Sequence, residues 1–470
     1  MRRLPVLFLM ALALLALGAS QAFGHAFQLS SKPGQFSVVQ TPPELVQVTF
    51  NEGVQLLRPE DFTVVDGRGR DVTAAPGAVT EDRRVMEVPL RPGLPAGTYT
   101  VQYQIIGADS HVIPGVFTFG IDIQRLDPPF LGEGGGGPAE NSPWGVVARF
   151  LEIVTLGGLL GLMAFRTLVW GVAWRGAGGV AGPERERLLT WWRDSYWMLF
   201  GVLALLAMLA QGYSLVVQSA RVLSVDVWTA LGDTTGISEV LGRTDFGSGV
   251  QLRAALLFLL FALGAVQFMR EYGTGRNPRP ADATGSLAAT GVMAALVLAV
   301  IGSVSYGGHA GVADFAGIQV ASHLVHIAGT AVWIAGLALV IAVYFRAPKV
   351  AATGGRTIAG HTLAAFSRAA LWAVVAIFAT GLVRSLGELG DPAELWQTAY
   401  GRSILYKLAL LVPLGGVAMY NRRIVAALRS VSVPSRATLA LVQRTVGAEL
   451  ALSMVIVLIA TILVAQSPGA

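Results

Sequence analysis

A histidine, an aspartate and a second histidine stand where together they could bind a metal ion. Arg2 and Arg3 precede a short apolar run, Leu4 to Gly18, and Ala22-Phe23-Gly24 offers small residues at the two positions a signal peptidase reads. Residues 1–24 therefore read as a signal peptide, and cutting after Gly24 exposes His25 as the first residue of the mature chain. A terminal histidine presents its α-amine beside its own imidazole, so one residue can chelate through two nitrogens. Asp109-Ser110-His111 adds a carboxylate and a second imidazole two positions apart. If the strand through Gln104-Ile105-Ile106 continues, both project to one face. An amine, two imidazoles and a carboxylate are hard-to-borderline donors that favour tetragonal Cu(II), the highest in the divalent affinity order. Zinc can take the same donors, although an α-amine is unusual among zinc ligands. An isolated Asp-x-His usually binds nothing; its conjunction with a terminal His25 makes the site.

A second group of histidines lies far downstream. His309 sits in Gly307-Gly308-His309-Ala310-Gly311, at the end of an apolar segment. His323 and His326 are three residues apart on the next such segment and so share one helical face. Ionisable groups inside a membrane segment usually face the bundle interior and often mark a pathway. The plainer reading is that both imidazoles hydrogen-bond across helices, and that His309 is a solvated loop residue. His361 reads as an inward loop residue with no assigned role.

The elements that must position these residues fall into two parts. Residues 25–125 read as all-β, with alternating runs at 45–50, 98–103 and 116–121 and a hairpin turn at Asp66-Gly67-Arg68-Gly69. That pattern predicts a small Greek-key, Ig-like sandwich or barrel. Residues 126–143, rich in proline and glycine, read as a linker that tethers this domain. From 144 to 470 the chain is an all-α bundle of eight apolar spans, near 144–172, 195–218, 249–269, 285–306, 317–345, 362–386, 402–420 and 437–466. The stretch 219–247 is less apolar and reads as an exported loop with a surface helix. Hydrophobic residues make up 53% of the chain and charged ones 13%, values that belong to a polytopic membrane protein and not to a soluble enzyme. A net charge of +5 gives no sign of nucleic-acid binding. With no cysteine there is no disulfide, Fe–S cluster or thiolate metal site.

The arginines fix an orientation. The export signal places the β-domain outside, so the first span runs inward, and Arg185, Arg187 and Arg193 then fall in the first inward loop. Arg276, Arg279, Lys349, Arg422 and Arg423 follow the same bias, while an outward loop carries Glu388, Asp391 and Glu394. The expected location is a bacterial inner membrane, crossed several times, with the first domain periplasmic.

Particular residues carry two family resemblances. His25-Ala26, Ser30-Ser31-Lys32-Pro33, Val48-Thr49-Phe50-Asn51-Glu52 and Asp109-Ser110-His111 leading to Gly115-Val116-Phe117-Thr118-Phe119 resemble CopC-type periplasmic copper-binding proteins. The resemblance implies a Greek-key barrel holding Cu(II) through the terminal amine, His25, Asp109 and His111. No Met-rich loop is present, only Met86, which argues against a Cu(I) site in this domain. Gly308-His309-Ala310, His323-Leu324-Val325-His326, Trp333 to Leu337, Phe366-Ser367-Arg368, Thr380-Gly381, Tyr400 to Lys407, Asn421-Arg422-Arg423 and Glu449 resemble the CopD copper-resistance membrane family. A fusion of the two implies copper handling at the membrane, usually uptake from the outer side, with His309, His323 and His326 as a copper path.

The expected function is therefore copper capture on the exported domain, followed by import, homeostasis or resistance through the spans, and no enzymatic activity. The partners are copper ion and the lipid bilayer; no phosphate-binding GxxxxGK loop is present to couple transport to ATP. Cu(I) stays open for the membrane domain, where reduction and transfer could fall to another periplasmic copper-handling protein. Two other classes compete. One is a haem- or copper-dependent electron-transfer protein that reduces bound copper; the other is a membrane-anchored copper sensor or scaffold. An oxidative copper enzyme fits less well, because Asp109 would fill the position that oxygen activation needs.

Overall fold

A computed structural model describes residues 26–108, 112–126, 143–178, 180, 182–223, 225–273, 285–306, 316–388, 393–397, 399–428 and 435–464. The signal peptide and the linker fall outside these residues.

The strands are Gln28–Lys32 (β1), Val38–Val39 (β2), Leu45–Phe50 (β3), Val54–Gln55 (β4), Phe62–Asp66 (β5), Ala78–Val79 (β6), Val85–Pro89 (β7), Gly97–Gly107 (β8) and Val112–Ile121 (β9). They form two sheets, ordered β1-β3-β7-β6 and β2-β9-β8-β4, with β5 also pairing to β8. Alternation decides which face turns inward: Val46, Val48 and Phe50 of β3 are buried, as are Met86 and Val88 of β7. They meet Phe62, Val64, Tyr99, Val101, Phe117 and Phe119 in one core, giving the sandwich that the sequence pattern predicts. Met86 is fully buried in that core, so it cannot serve as a surface thioether ligand. The turn after β5 forms as expected, with Gly69 at φ 77° donating its N–H to the Asp66 carbonyl at 2.9 Å.

The helices are Pro143–Gly176 (α1), Gly182–Val222 (α2), Val227–Gly232 (α3), Thr234–Arg243 (α4), Asp245–Gly273 (α5), Leu287–Tyr306 (α6), Ala316–Val350 (α7), Ala352–Glu388 (α8), Glu394–Gln397 (α9), Ala399–Leu428 (α10) and Arg436–Val464 (α11). Among the described residues eight of them are long and apolar enough to cross a membrane: α1, α2, α5, α6, α7, α8, α10 and α11. Each matches one of the eight expected segments. Small residues let them approach closely: a Cβ at Gly161 of α1 would overlap Ala335 and the Ala331 carbonyl of α7. α7 packs against α8, α1, α11 and α6. His361 lies inside α8, beside Gly176 of α1, and not in a loop, because helix α8 starts ten residues earlier than the apolar run alone suggests.

The stretch between α2 and α5 holds two short helices where one was expected. Asp226 caps α3, its Oδ1 accepting from the Trp228 and Thr229 N–H groups at 3.0 and 3.1 Å, and Asp233 caps α4 through Gly236 N–H at 2.9 Å. Helix α4, with the end of α2 and the start of α5, forms the seat of the β-sandwich. Leu57 and Ile106 of the sandwich pack with Val222 and Val240 in a buried cluster, flanked by Val112, Leu215 and Leu223. Gln104 donates its amide to the Val222 carbonyl at 2.7 Å, Gln55 accepts from Asp245 N–H at 3.2 Å, and Arg83 pairs with Asp245 at 2.8 Å. Burying an aliphatic side chain contributes roughly 1.5–3 kcal/mol, whereas an exposed ion pair contributes about 0–1. The apolar cluster, then, holds the two domains together and the ion pairs set its register.

Candidate functional site

The strand ends that flank Asp109-Ser110-His111 lie at the docked end of the sandwich. β8 ends at Gly107 and β9 begins at Val112, with Ile106 paired to Val112, so the strand through Gln104 does not run on to Asp109 and His111. His25, Asp109 and His111 lie outside the described residues; their flanks do not. Val54 pairs with Gly107, three residues after Asn51. Asn51 in turn accepts the Phe27 N–H on its Oδ1 at 2.7 Å. The described start of the chain and the β8–β9 connection thus share one end of the sandwich. Tyr103 ties β1 to β8 through a hydrogen bond to Gln28 Oε1 at 3.1 Å. A Cβ at Gly115 would overlap the Tyr103 ring, which is why glycine stands there. Ile106 and Val112, on either side of the connection, belong to the docking cluster, so this end faces the helical bundle.

In the bundle His323 and His326 both lie on α7 and are half-buried; His309 lies outside the described residues. His326 Nδ1 is 3.1 Å from Thr380 Oγ1 on α8. Thr380 Oγ1 also lies 2.6 Å from the Ala376 carbonyl, and a hydroxyl that donates there accepts from His326 Nδ1–H. The cross-helix bond expected of a purely packed histidine is therefore present, and it holds the ring in one orientation.

Three acidic groups lie deeper. Glu152 of α1 accepts the Gln211 amide at 3.0 Å and lies in the field of Arg253 and Arg149. Glu271 of α5 pairs with Arg166 at 2.6 Å and accepts Trp197 Nε1–H at 2.8 Å, while Arg166 stacks 4.1 Å over the Tyr196 ring. Glu449 of α11 accepts Trp333 Nε1–H at 3.1 Å and the Asn421 amide at 2.6 Å. Sequence reasoning passed over Glu152 and Glu271 and gave Glu449 no role. For Glu152 and Glu449 an ionisable residue inside an apolar run was the available signal; Glu271 lies just past the expected span 249–269, where no such signal stands. Among the described residues no three His, Cys, Asp or Glu side chains converge as a metal cage.

The architecture defines a class: a small β-sandwich seated on a bundle of eight helices fit to span a membrane. Family comparison then gives the two parts their names. The CopC domain family matches residues 28–122, and the family Copper resistance protein D matches residues 360–463, so one chain carries both a CopC and a CopD domain. Copper transport protein CutJ of Bacillus subtilis (strain 168) is 26% identical over 404 residues, covering 83% of this chain and 66% of that protein. The chain thus spans just under two thirds of that relative. Protein YobA of Escherichia coli (strain K12) is 27% identical over 117 residues, 24% of this chain and 91% of YobA. Among solved structures, CopC from Methylosinus trichosporium OB3b is 24% identical, covering 22% of this chain and 100% of that one with a TM-score of 0.19. The copper resistance protein PcoC from Escherichia coli is 30% identical, covering 20% and 99%, with a TM-score of 0.17.

Proposed function

We propose that this protein captures Cu(II) at the docked end of its exported sandwich and passes copper inward through the helical bundle. The observation that carries the reading is the seat itself: the strand ends flanking the Asp109–His111 motif pack onto the α2–α5 connection. The names of the relatives, a copper transport protein and a copper resistance protein, point the same way. Residues 1–24 act as the export signal, 25–125 as the capturing unit with the His25 amine and imidazole, Asp109 and His111 as ligands, 126–143 as linker and 144–470 as the membrane unit. The sandwich faces the periplasm across an inner membrane, so His309, His323 and His326 occupy the outer half of the bundle. A docked domain delivers its ion at fixed range, which gives a higher effective concentration than a flexible tether alone.

The test separates capture from passage. Retaining one residue before His25, which blocks its amine, should abolish tight Cu(II) binding by the full chain, and unchanged affinity would remove the site. Replacing His323 and His326 together by alanine should stop copper accumulation while the exported site still binds. Normal accumulation in that double variant would leave the histidines with packing alone.

A further inference from the structure

An acid buried within the spans is either paired with a positive charge or held neutral. Removing one partner of a buried ion pair costs about 3–5 kcal/mol, because the charge left behind is uncompensated. Glu271 has Arg166, and Glu152 has Arg253 and Arg149. Glu449, at 5% exposure, is as buried as Glu152 and more so than Glu271, yet its described partners are an indole N–H and an amide, both neutral. No cationic side chain is paired with it among the described residues. Its two oxygens are each held by one donor. A carboxylate oxygen has two acceptor sites, so the geometry orients the acid without filling it.

Its position lies in line with the histidines. His323, His326, Thr330 and Trp333 follow one another on α7 at spacings of 3, 4 and 3, which keeps them on one helical face. From His326 to Trp333 is seven residues, about 10 Å along the axis, and Trp333 Nε1 reaches Glu449 directly. The face therefore runs from the imidazoles to the acid across a substantial part of a hydrocarbon layer about 30 Å thick.

We propose that Glu449 is a cation station of the membrane domain, the carboxylate that receives the copper ion after His323 and His326. This rests on the transport reading above. Trp333 and Asn421 are positioning residues that aim its two oxygens. The arriving ion supplies the charge that arginine supplies to Glu152 and Glu271. A transit station has to release its ion, so one carboxylate on a polar line suits it better than a closed cage. Imidazole and carboxylate together suit Cu(II) better than the softer Cu(I).

The experiment is radiocopper uptake into proteoliposomes holding the full chain, with wild type, the His323→Ala/His326→Ala variant, Glu449→Gln and Glu449→Asp side by side. Glu449→Gln keeps the shape and removes only the charge. The account expects its initial rate to fall at least tenfold, with wild-type melting and wild-type Cu(II) binding on the exported domain, and Glu449→Asp to lie above it. A rate within twofold of wild type in a folded Glu449→Gln protein would overturn the station and leave the transport reading standing. Wild-type uptake no faster than that of the double-histidine variant would instead overturn the transport reading itself. If Glu449→Gln does not fold, Glu449→Asp and Glu449→Asn, equal in size and different in charge, decide. A tenfold advantage for Asp supports the station and equal rates overturn it.

Discussion

The two halves of the helical bundle treat buried acids in opposite ways. In the first half, α1, α2 and α5 hold Glu152 and Glu271 against arginines, with aromatic rings and amides closing the remaining space. In the second half, α7, α10 and α11 give Glu449 two neutral donors and, among the described residues, no ion pair. The first arrangement supplies its own cations and acts as a strut. The second has no paired cation among the described residues, and it lies on the side of the bundle that carries His323 and His326. The β-sandwich sits over the first half, at the α2–α5 connection. In the function proposed above, copper handling is divided among a seat, a capturing end and a separate polar line.

The sharpest way to break this contrast is to remove an arginine. Arg166→Leu should lower stability by about 3–5 kcal/mol, read as a fall in the melting temperature of the detergent-solubilised protein. Adding Glu271→Leu should restore most of it, since a buried pair replaced whole by apolar groups is nearly neutral. Glu449→Gln should stay within about 1.5 kcal/mol of wild type. Equal losses in Arg166→Leu and Glu449→Gln would erase the distinction between strut and station.

A smaller effect belongs to the Thr380 hydroxyl that holds the His326 ring. Thr380→Val keeps the packing volume but removes the hydroxyl bonded to Nδ1. Loss of such a supporting partner typically weakens metal affinity about 10–100-fold. We therefore expect a raised copper concentration for half-maximal uptake with melting unchanged; an unchanged concentration dependence would return His326 to packing.

The seat can be tested in the same spirit. Val240 is fully buried in the docking cluster, so Val240→Asp should release the sandwich, detected as faster proteolysis of the linker and slower uptake at low copper. Arg83→Ala, at the exposed pair with Asp245, should cost no more than about 1 kcal/mol and leave the domain seated. Release by Arg83→Ala but not by Val240→Asp would reverse the assignment of roles.

The smallest effect is on pH. Hydrogen bonding from the Thr229 hydroxyl and from nearby backbone N–H groups holds the Asp226 carboxyl below its ordinary value. A group depressed in the folded state stabilises at pH values above its unfolded pKa, and that contribution fades as pH falls through the folded value. The α3 cap should thus weaken only below the ordinary carboxylate range, near 3.8, and not between pH 5 and 8. Loss of α3 protection in hydrogen exchange at pH 6 would contradict this.

Much of the architecture was legible in the residues. The β3, β8 and β9 strands follow from alternation, and the eight spans from apolar length, because both depend on local periodicity. The end of β8 at Gly107 was not legible. It is set by pairing with β4 and β9, a long-range match that strand propensity does not encode. The seat was hidden for the same reason: Leu57, Ile106, Val222 and Val240 form one surface only after folding. His326 was visible as a candidate, whereas its ring is held by Thr380, far away in sequence. Glu449 stood in plain sight as a lone acid in an apolar segment. What distinguishes it from Glu152 is the charge of its neighbours, and only the packed bundle shows that.

The most direct test of the central claim is copper flux through the purified full chain in proteoliposomes of known orientation, supplied with Cu(II) and no reductant on the side bearing the sandwich. The account predicts accumulation well above protein-free vesicles, abolished in the His323→Ala/His326→Ala variant. Flux no greater than in empty vesicles, with the exported site fully loaded, would contradict it.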